Sequence, residues 1–135
     1  MAKESAVTGR AAPGPGSGEN DLVCGCLRVR RGQCRGVVVC TVIGEVDLAT
    51  APLLDKALAV APPGLMPRIV DLSCVEFLGL AGARVLLTGS ERARGRLSLV
   101  AANRPVLRVL DLTGLAGRLA VYRNLAEALD AASDG

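Results

Sequence analysis

A chain of 135 residues is long enough for one domain with a sizeable core and too short for two domains that each bury a good core. Half of the residues are hydrophobic, but the only aromatic ones are Phe77 and Tyr122, so Val, Leu, Ile and Ala must build the core. The net charge of +3 is small, whereas a nucleic-acid-binding surface usually has a denser basic face with stacking aromatic side chains. This composition favours an α/β layer fold and argues against direct binding of nucleic acid.

Residues 1–22 lack the pattern of a folded segment. The stretch Ala11–Gly18 reads AAPGPGSG, and so dense a run of proline and glycine cannot bury enough apolar surface to order the chain. We therefore predict a flexible tail over residues 1–22 and a single folded domain over residues 23–135.

The sequence contains no apolar segment of the length that a secretory signal or a membrane-spanning helix needs. Its longest strongly apolar run, Val37–Ile43, is far too short to cross a bilayer. The five cysteines are odd in number and follow no secretory signal, which favours reduced thiols. We therefore expect a cytoplasmic protein that does not insert into a membrane.

Cys24, Cys26 and Cys34 are near enough in sequence to be considered as zinc ligands. Structural zinc sites favour spacers of about two to four residues between paired cysteines, and this chain contains no histidine. We therefore predict no metal site. Cys40 and Cys74 are interpreted as small buried hydrophobic residues.

Strand signals open the folded part of the chain. Leu27–Arg30 alternates apolar and polar residues, Gly32 and Gln33 are a plausible turn, and Val37–Ile43 is apolar and rich in β-branched residues. This pattern predicts an edge strand that forms a hairpin with a buried strand. Further strands are predicted at Arg68–Leu72, Leu97–Val100 and Ala120–Tyr122.

Four helix signals alternate with these strands. Thr50 is a good N-cap for the first helix, and Asn103 and Asn124 are good N-caps for the third and fourth. The second helix is predicted to follow a tight loop, Gly79–Gly82. The order of elements is therefore β-β-α-β-α-β-α-β-α. Because parallel crossovers are right-handed, we predict a central, mostly parallel β-sheet with its first strand antiparallel, and about four helices.

Four segments, in order and with matching gaps, resemble the bacterial anti-sigma factor antagonists. These proteins are the small stand-alone members of the sulfate-transporter and anti-sigma-antagonist (STAS) domain family. The segments are Gly44–Pro52, Ile69–Leu78, Gly82 with Val85–Leu87, and Val109–Leu115. The resemblance spans nearly the whole folded part, and it implies the STAS fold.

The sequence departs from that family at the position of its regulatory serine. There the motif usually reads Phe-Leu-Asp-Ser-Ser/Thr-Gly, and a partner kinase phosphorylates the serine at a helix N-terminus, which favours an added phosphate. Aligning Phe77 and Gly82 with the motif places Gly79 at the aspartate and Leu80 and Ala81 at the hydroxyl positions. We predict no phosphorylation at this turn, and we expect Leu80→Ser to stabilise the helix as a cap.

The resemblance implies an anti-sigma factor antagonist-like protein that binds an anti-sigma factor of the histidine-kinase-like ATPase type and so regulates sigma-dependent transcription. The partner-binding residues would be Asp47, Gly79, Leu80, Ala81 and Gly82. For Asp47, local chemistry is equally consistent with an exposed loop aspartate that helps to start the next helix.

Two alternatives to an active antagonist are considered. One is a STAS scaffold or accessory subunit of a sensory or transport complex, which the loss of the serine makes more plausible; the other is a domain that has drifted from its function. An enzyme is disfavoured, because the chain has no histidine and no nucleophile placed beside a base in a known motif. We predict no cofactor.

Overall fold

The computed structural model of the chain describes residues 20–59 and 66–134. Within these ranges there are six strands, four α-helices and one short 3-10 helix. They are β1 (Asn20–Cys24), β2 (Leu27–Cys34), β3 (Val37–Val46), α1 (Ala51–Ala59), β4 (Arg68–Leu78), α2 (Leu80–Arg92), β5 (Leu97–Val100), α3 (Arg104–Leu112), the 3-10 helix (Leu115–Gly117), β6 (Ala120–Tyr122) and α4 (Leu125–Asp134). None of the described helices has the length and apolar character needed to cross a membrane.

The strands form one sheet in the order β1-β2-β3-β4-β5-β6. β1 and β2, and β2 and β3, pair antiparallel, whereas the three pairings from β3 to β6 are parallel. This confirms the predicted α/β fold with a mostly parallel sheet, an antiparallel first strand and four helices. Because each helix that follows a parallel strand returns the chain to the start of the next strand, the turns after β3 to β6 share one side of the sheet. We call this side the carboxyl edge.

The helices cover the two faces of the sheet unequally. α1, α2 and α3 share one large hydrophobic cluster, to which they contribute Leu54, Leu86 and Leu110 among others. α4 covers part of the other face in a smaller cluster that contains Ala128 and Leu129. A fully buried leucine contributes about 2 kcal/mol through the apolar surface that it removes from water. Aliphatic packing of this kind builds the core, as the composition indicates.

The N-terminal hairpin is longer than predicted. The predicted turn at Gly32 and Gln33 is wrong, because β2 continues pairing with β3 as far as Cys34. The connection is instead the two-residue turn Arg35–Gly36, in which both residues have positive φ. Such turns match the twist of antiparallel strands, so the hairpin closes at Arg35–Gly36 and not at Gly32.

A further strand, β1, precedes the hairpin. This strand is absent from the predicted order of elements, and its first three residues, 20–22, fall within the predicted tail. Its pairing with β2 brings Asp21 opposite Arg30, and Asp21 forms an ion pair with Arg28 over 3.5 Å. The rest of the predicted tail, residues 1–19, lies outside the described residues.

β4 is also longer than predicted. It extends past Leu72 to Leu78 and remains paired with β3 through two register irregularities, which interrupt the simple alternation of apolar and polar residues. The predicted loop Gly79–Gly82 is correspondingly wrong. Only Gly79 lies between β4 and α2, and Leu80 already begins the helix.

Gly82 allows the first turn of α2 to lie directly against the strands. A β-carbon at this position would lie 2.6 Å from side-chain carbons of both Leu78 and Val46, which are buried. A contact that short cannot exist without movement of the helix or of the core. The glycine therefore sets how closely α2 approaches the ends of β3 and β4.

We expect Gly82→Ala to lower the free energy of unfolding by about 1–2 kcal/mol, because overpacking costs about 1–3 kcal/mol and outweighs the helix propensity of alanine. The matched control is Gly117→Ala, since a β-carbon there would have no neighbour within 4 Å. Urea denaturation of the two variants measures the difference. Equal stability would contradict the close approach at Gly82.

The cysteines occupy two kinds of environment. Cys40 is buried as predicted, and burial raises its pKa to about 11, although the neighbouring Arg31 and Arg68 act in the opposite direction. The prediction for Cys74 is wrong: it is exposed, because it lies on the part of the sheet face that α4 does not cover.

The zinc interpretation is excluded by distance. Cys26 precedes β2 and Cys34 ends it, so at about 3.3 Å per residue these two cysteines are about 25 Å apart. The described residues also contain no group of three or more cysteine and acidic side chains that could hold a metal ion.

Thiol titration distinguishes these environments. In the folded protein at about pH 7.5, a reagent such as DTNB should react rapidly with the four exposed cysteines, and with Cys40 only after unfolding, because its thiolate is scarce and inaccessible. Cys40→Ala should remove the slow phase alone, and Cys74→Ser should remove one fast thiol. A fast phase that Cys74→Ser leaves unchanged would contradict the exposed placement of Cys74.

Candidate partner-binding site

The turns that follow β3 and β4 are joined at the carboxyl edge. Val46 and Leu78 are paired residues at the ends of these parallel strands. The N–H of Gly79 donates a hydrogen bond to the carbonyl oxygen of Val46 over 2.8 Å. The Asp47 loop and the start of α2 are therefore adjacent, as the predicted site requires.

Asp47 and Thr50 close the loop after β3 through reciprocal hydrogen bonds. The N–H of Thr50 donates to Oδ1 of Asp47 over 2.9 Å, and the N–H of Asp47 donates to Oγ1 of Thr50 over 2.9 Å. This arrangement has the reciprocal form of a capping box but lies in the turn before α1. The prediction that the Thr50 side chain caps α1 is wrong, because its hydroxyl bonds back to Asp47 and Glu45. The Thr50 hydroxyl also lies 3.0 Å from the carbonyl oxygen of Glu45, which ties the loop to the strand.

These bonds stabilise the charged form of Asp47. The backbone N–H of Thr50, and then its hydroxyl, hold the pKa of the Asp47 carboxyl below its usual value. The carboxylate, charged at neutral pH, is held in one orientation by these bonds. Asp47 thus orders the loop that leads into α1, while its half-buried side chain remains at the protein surface.

The β1–β2 turn supports this loop. The N–H of Glu45 donates to the carbonyl oxygen of Cys26 over 3.4 Å. Gly44 has a φ of +111°, and a β-carbon there would lie 1.9 Å from the same carbonyl oxygen. Only glycine satisfies both the backbone angle and the close approach, so Gly44 positions the strand end from which the Asp47 loop departs.

The start of α2 differs from the prediction in one respect. Gly79 is the N-cap and offers no side-chain cap, while Leu80 is the first helical residue. The expectation that Leu80→Ser would cap the helix is wrong, because a cap side chain would have to be at position 79. Leu80 is exposed and Ala81 half-buried, whereas Gly82 is buried and contributes through packing.

Two apolar side chains at this edge were not among the predicted site residues. Leu48, beside Asp47, is 83% exposed, and Phe77, at the end of β4, is 50% exposed. For Leu48, the signal in the sequence is a leucine between an aspartate and an alanine in a short loop. For Phe77, the sequence gives no such signal, because its exposure depends on the irregular register of β4.

Asn103 connects the next turn to the same edge. Its Oδ1 accepts the N–H of Val106 over 2.9 Å, which confirms the predicted N-cap of α3. Its Nδ2 donates to the carbonyl oxygen of Val75 over 2.8 Å, which anchors α3 to β4. Asp71 has a local partner too, because its Oδ1 accepts the N–H of Ser73 over 3.0 Å.

Comparison with known proteins identifies relatives of this chain. The chain is similar to the anti-sigma-F factor antagonist RsfB of Mycobacterium tuberculosis, with 33% identity over 103 residues that cover 74% of this chain and 84% of the relative. It is also similar to the crystal structure of an anti-sigma factor antagonist from Mycobacterium paratuberculosis. That match has a TM-score of 0.69 and 31% identity, and covers 87% of this chain and 97% of the other.

A more distant likeness supports the fold alone. The unphosphorylated form of the anti-sigma factor antagonist SpoIIAA matches with a TM-score of 0.64 at 18% identity, over 76% of this chain and 93% of the other. The family model of the STAS domain matches residues 30–128, which is most of the chain and includes every residue of the predicted site. The chain therefore belongs to the STAS domain family.

Proposed function

We propose that this protein is an anti-sigma factor antagonist: it binds an anti-sigma factor of the histidine-kinase-like ATPase type in the cytoplasm and so releases a sigma factor for transcription. The relatives at 31–33% identity are antagonists by name. The observation that supports the proposal most strongly is the bond between Gly79 and Val46, which joins the Asp47 loop and the start of α2 in one surface.

The chemistry of this surface suits binding and not catalysis. The Asp47 carboxylate is charged but engaged by Thr50, and the Asp71 carboxylate is engaged by Ser73. The chain contains no histidine to act as a general base near neutral pH. We infer a protein-binding module whose charged and apolar side chains are exposed at the carboxyl edge.

The proposed antagonist lacks the usual phosphate switch. A phosphate at the start of α2 would add about two negative charges to the docking surface, which is how modification of a serine there opposes binding. Leu80 and Ala81 have no hydroxyl to accept it. We therefore propose that kinase activity of the partner does not release this protein.

The partner is tested by pull-down of the full chain from its native host with identification by mass spectrometry. The proposal predicts retention of an anti-sigma factor with a kinase-like ATPase domain. Retention of a membrane transporter or of a sensory assembly in its place would overturn the proposal in favour of the scaffold alternative.

A phosphorylation assay tests the missing switch. Incubated with that anti-sigma kinase and ATP, an antagonist with the usual serine should be labelled, whereas this protein should remain unlabelled and keep its affinity. The double variant Gly79→Asp with Leu80→Ser restores the usual residues and should regain labelling. Phosphate at Ser73, Thr88 or Ser90 together with loss of binding would contradict the proposal.

A further inference from the structure

Two leucines are the most exposed large apolar side chains at the carboxyl edge. Leu48 is 83% exposed and Leu80 is 74% exposed. Single exposed leucines are common on protein surfaces, but neighbouring ones on different elements indicate a contact surface. Leu80 is also the residue at the usual position of the phosphoacceptor, so its side chain takes the place of a regulated hydroxyl.

The register of the sheet places these leucines after the ends of two neighbouring strands. Val46 and Leu78 are paired across β3 and β4, and each leucine lies two residues beyond one of them. The helices that follow are neighbours, because a β-carbon at Gly89 of α2 would lie 3.0 Å from Leu58 of α1. Because the two strand ends are paired and the helices that follow them are neighbours, we assign both side chains to one surface, which we call the leucine pair.

A cation adjoins the leucine pair. Arg84 follows Leu80 by four residues, which places the two on the same face of α2. Arg84 is exposed, and no carboxylate of the described residues forms an ion pair with it, whereas Arg92 on the same helix pairs with Asp55 over 3.2 Å. Its charge is therefore available to a partner.

The first turn of α2 favours an acidic counterpart for Arg84. This turn contains no acidic residue, so no carboxylate on the helix itself neutralises the positive end of its dipole. The acidic side chains at this edge, Glu45, Asp47 and Glu76, lie on strand ends and on the loop after β3.

We propose that the leucine pair and Arg84 are the contact points of the docking surface, and that they fit a partner surface with an apolar pocket bordered by a carboxylate. This inference rests on the proposed function and specifies the chemistry of its partner. Apolar anchors in a desolvated pocket dominate binding energy, while a charge at the rim adds orientation and speed of association. An interface of this kind requires no hydroxyl at position 80.

Alanine variants test the leucine pair by calorimetric titration against the anti-sigma factor retained in the pull-down. Leu48→Ala and Leu80→Ala should each weaken binding about tenfold, as expected for anchor residues. Leu112→Ala is the matched control, because Leu112 is 77% exposed but lies at the other end of the fold, where α3 ends; it should change the affinity less than about twofold. All three side chains are exposed, so the melting temperatures should stay equal.

A charge series tests Arg84. Arg84→Glu should weaken binding about tenfold at low ionic strength and less as salt is added, whereas Arg84→Lys should remain within about threefold of the wild type. An effect of Arg84→Glu that does not depend on salt would overturn the carboxylate part of the inference.

These experiments distinguish failure of the proposed function from failure of the leucine pair. If the wild-type chain binds no anti-sigma factor, the proposed function fails and the inference with it. If the wild type binds but Leu48→Ala and Leu80→Ala behave like Leu112→Ala, the leucine pair is overturned while the proposed function stands.

Discussion

The hydrogen bond from the N–H of Gly79 to the carbonyl oxygen of Val46 joins the two turns on which the site depends. It continues the pairing of β3 and β4 beyond their last residues, so α2 starts one residue after its strand. The helix can approach so closely because Gly82 has no side chain to meet Val46 and Leu78. Any partner that binds the Asp47 loop therefore also meets the first turn of α2.

Packing and regulation are separable in this arrangement. The buried residues around the joint, Val46, Leu78 and Gly82, are constrained by volume, because interiors are close-packed and added methyl groups cost energy. Leu80 points away from this core and can change without disturbing the fold. A family member can thus exchange a phosphorylated hydroxyl for an aliphatic side chain and keep the shape of its docking surface. Such a protein would act according to its concentration and not according to its phosphorylation state.

The sequence predicts most of the parallel part of the fold, because β3, β4 and β5 contain buried apolar runs and because Asn103 supplies a strong helix cap. It fails where tertiary contacts override local pattern. β1 is a short edge strand that begins with polar residues, and it is stabilised by pairing that no local pattern reveals. The exposure of Cys74 and Phe77 depends on irregular register in β4. The proposed site residues follow from the resemblance to the family, whereas the exposure of Leu48 is visible only in the structure.

Hydrogen exchange of the full chain, alone and with the anti-sigma factor proposed as its partner, tests directly whether a partner binds at the joint between the Asp47 loop and α2. Binding there should slow amide exchange in residues 46–52 and 79–85, with no change at the end of α3 and in the 3-10 helix. Protection at those distant residues, or on β1 and β2 alone, would contradict it.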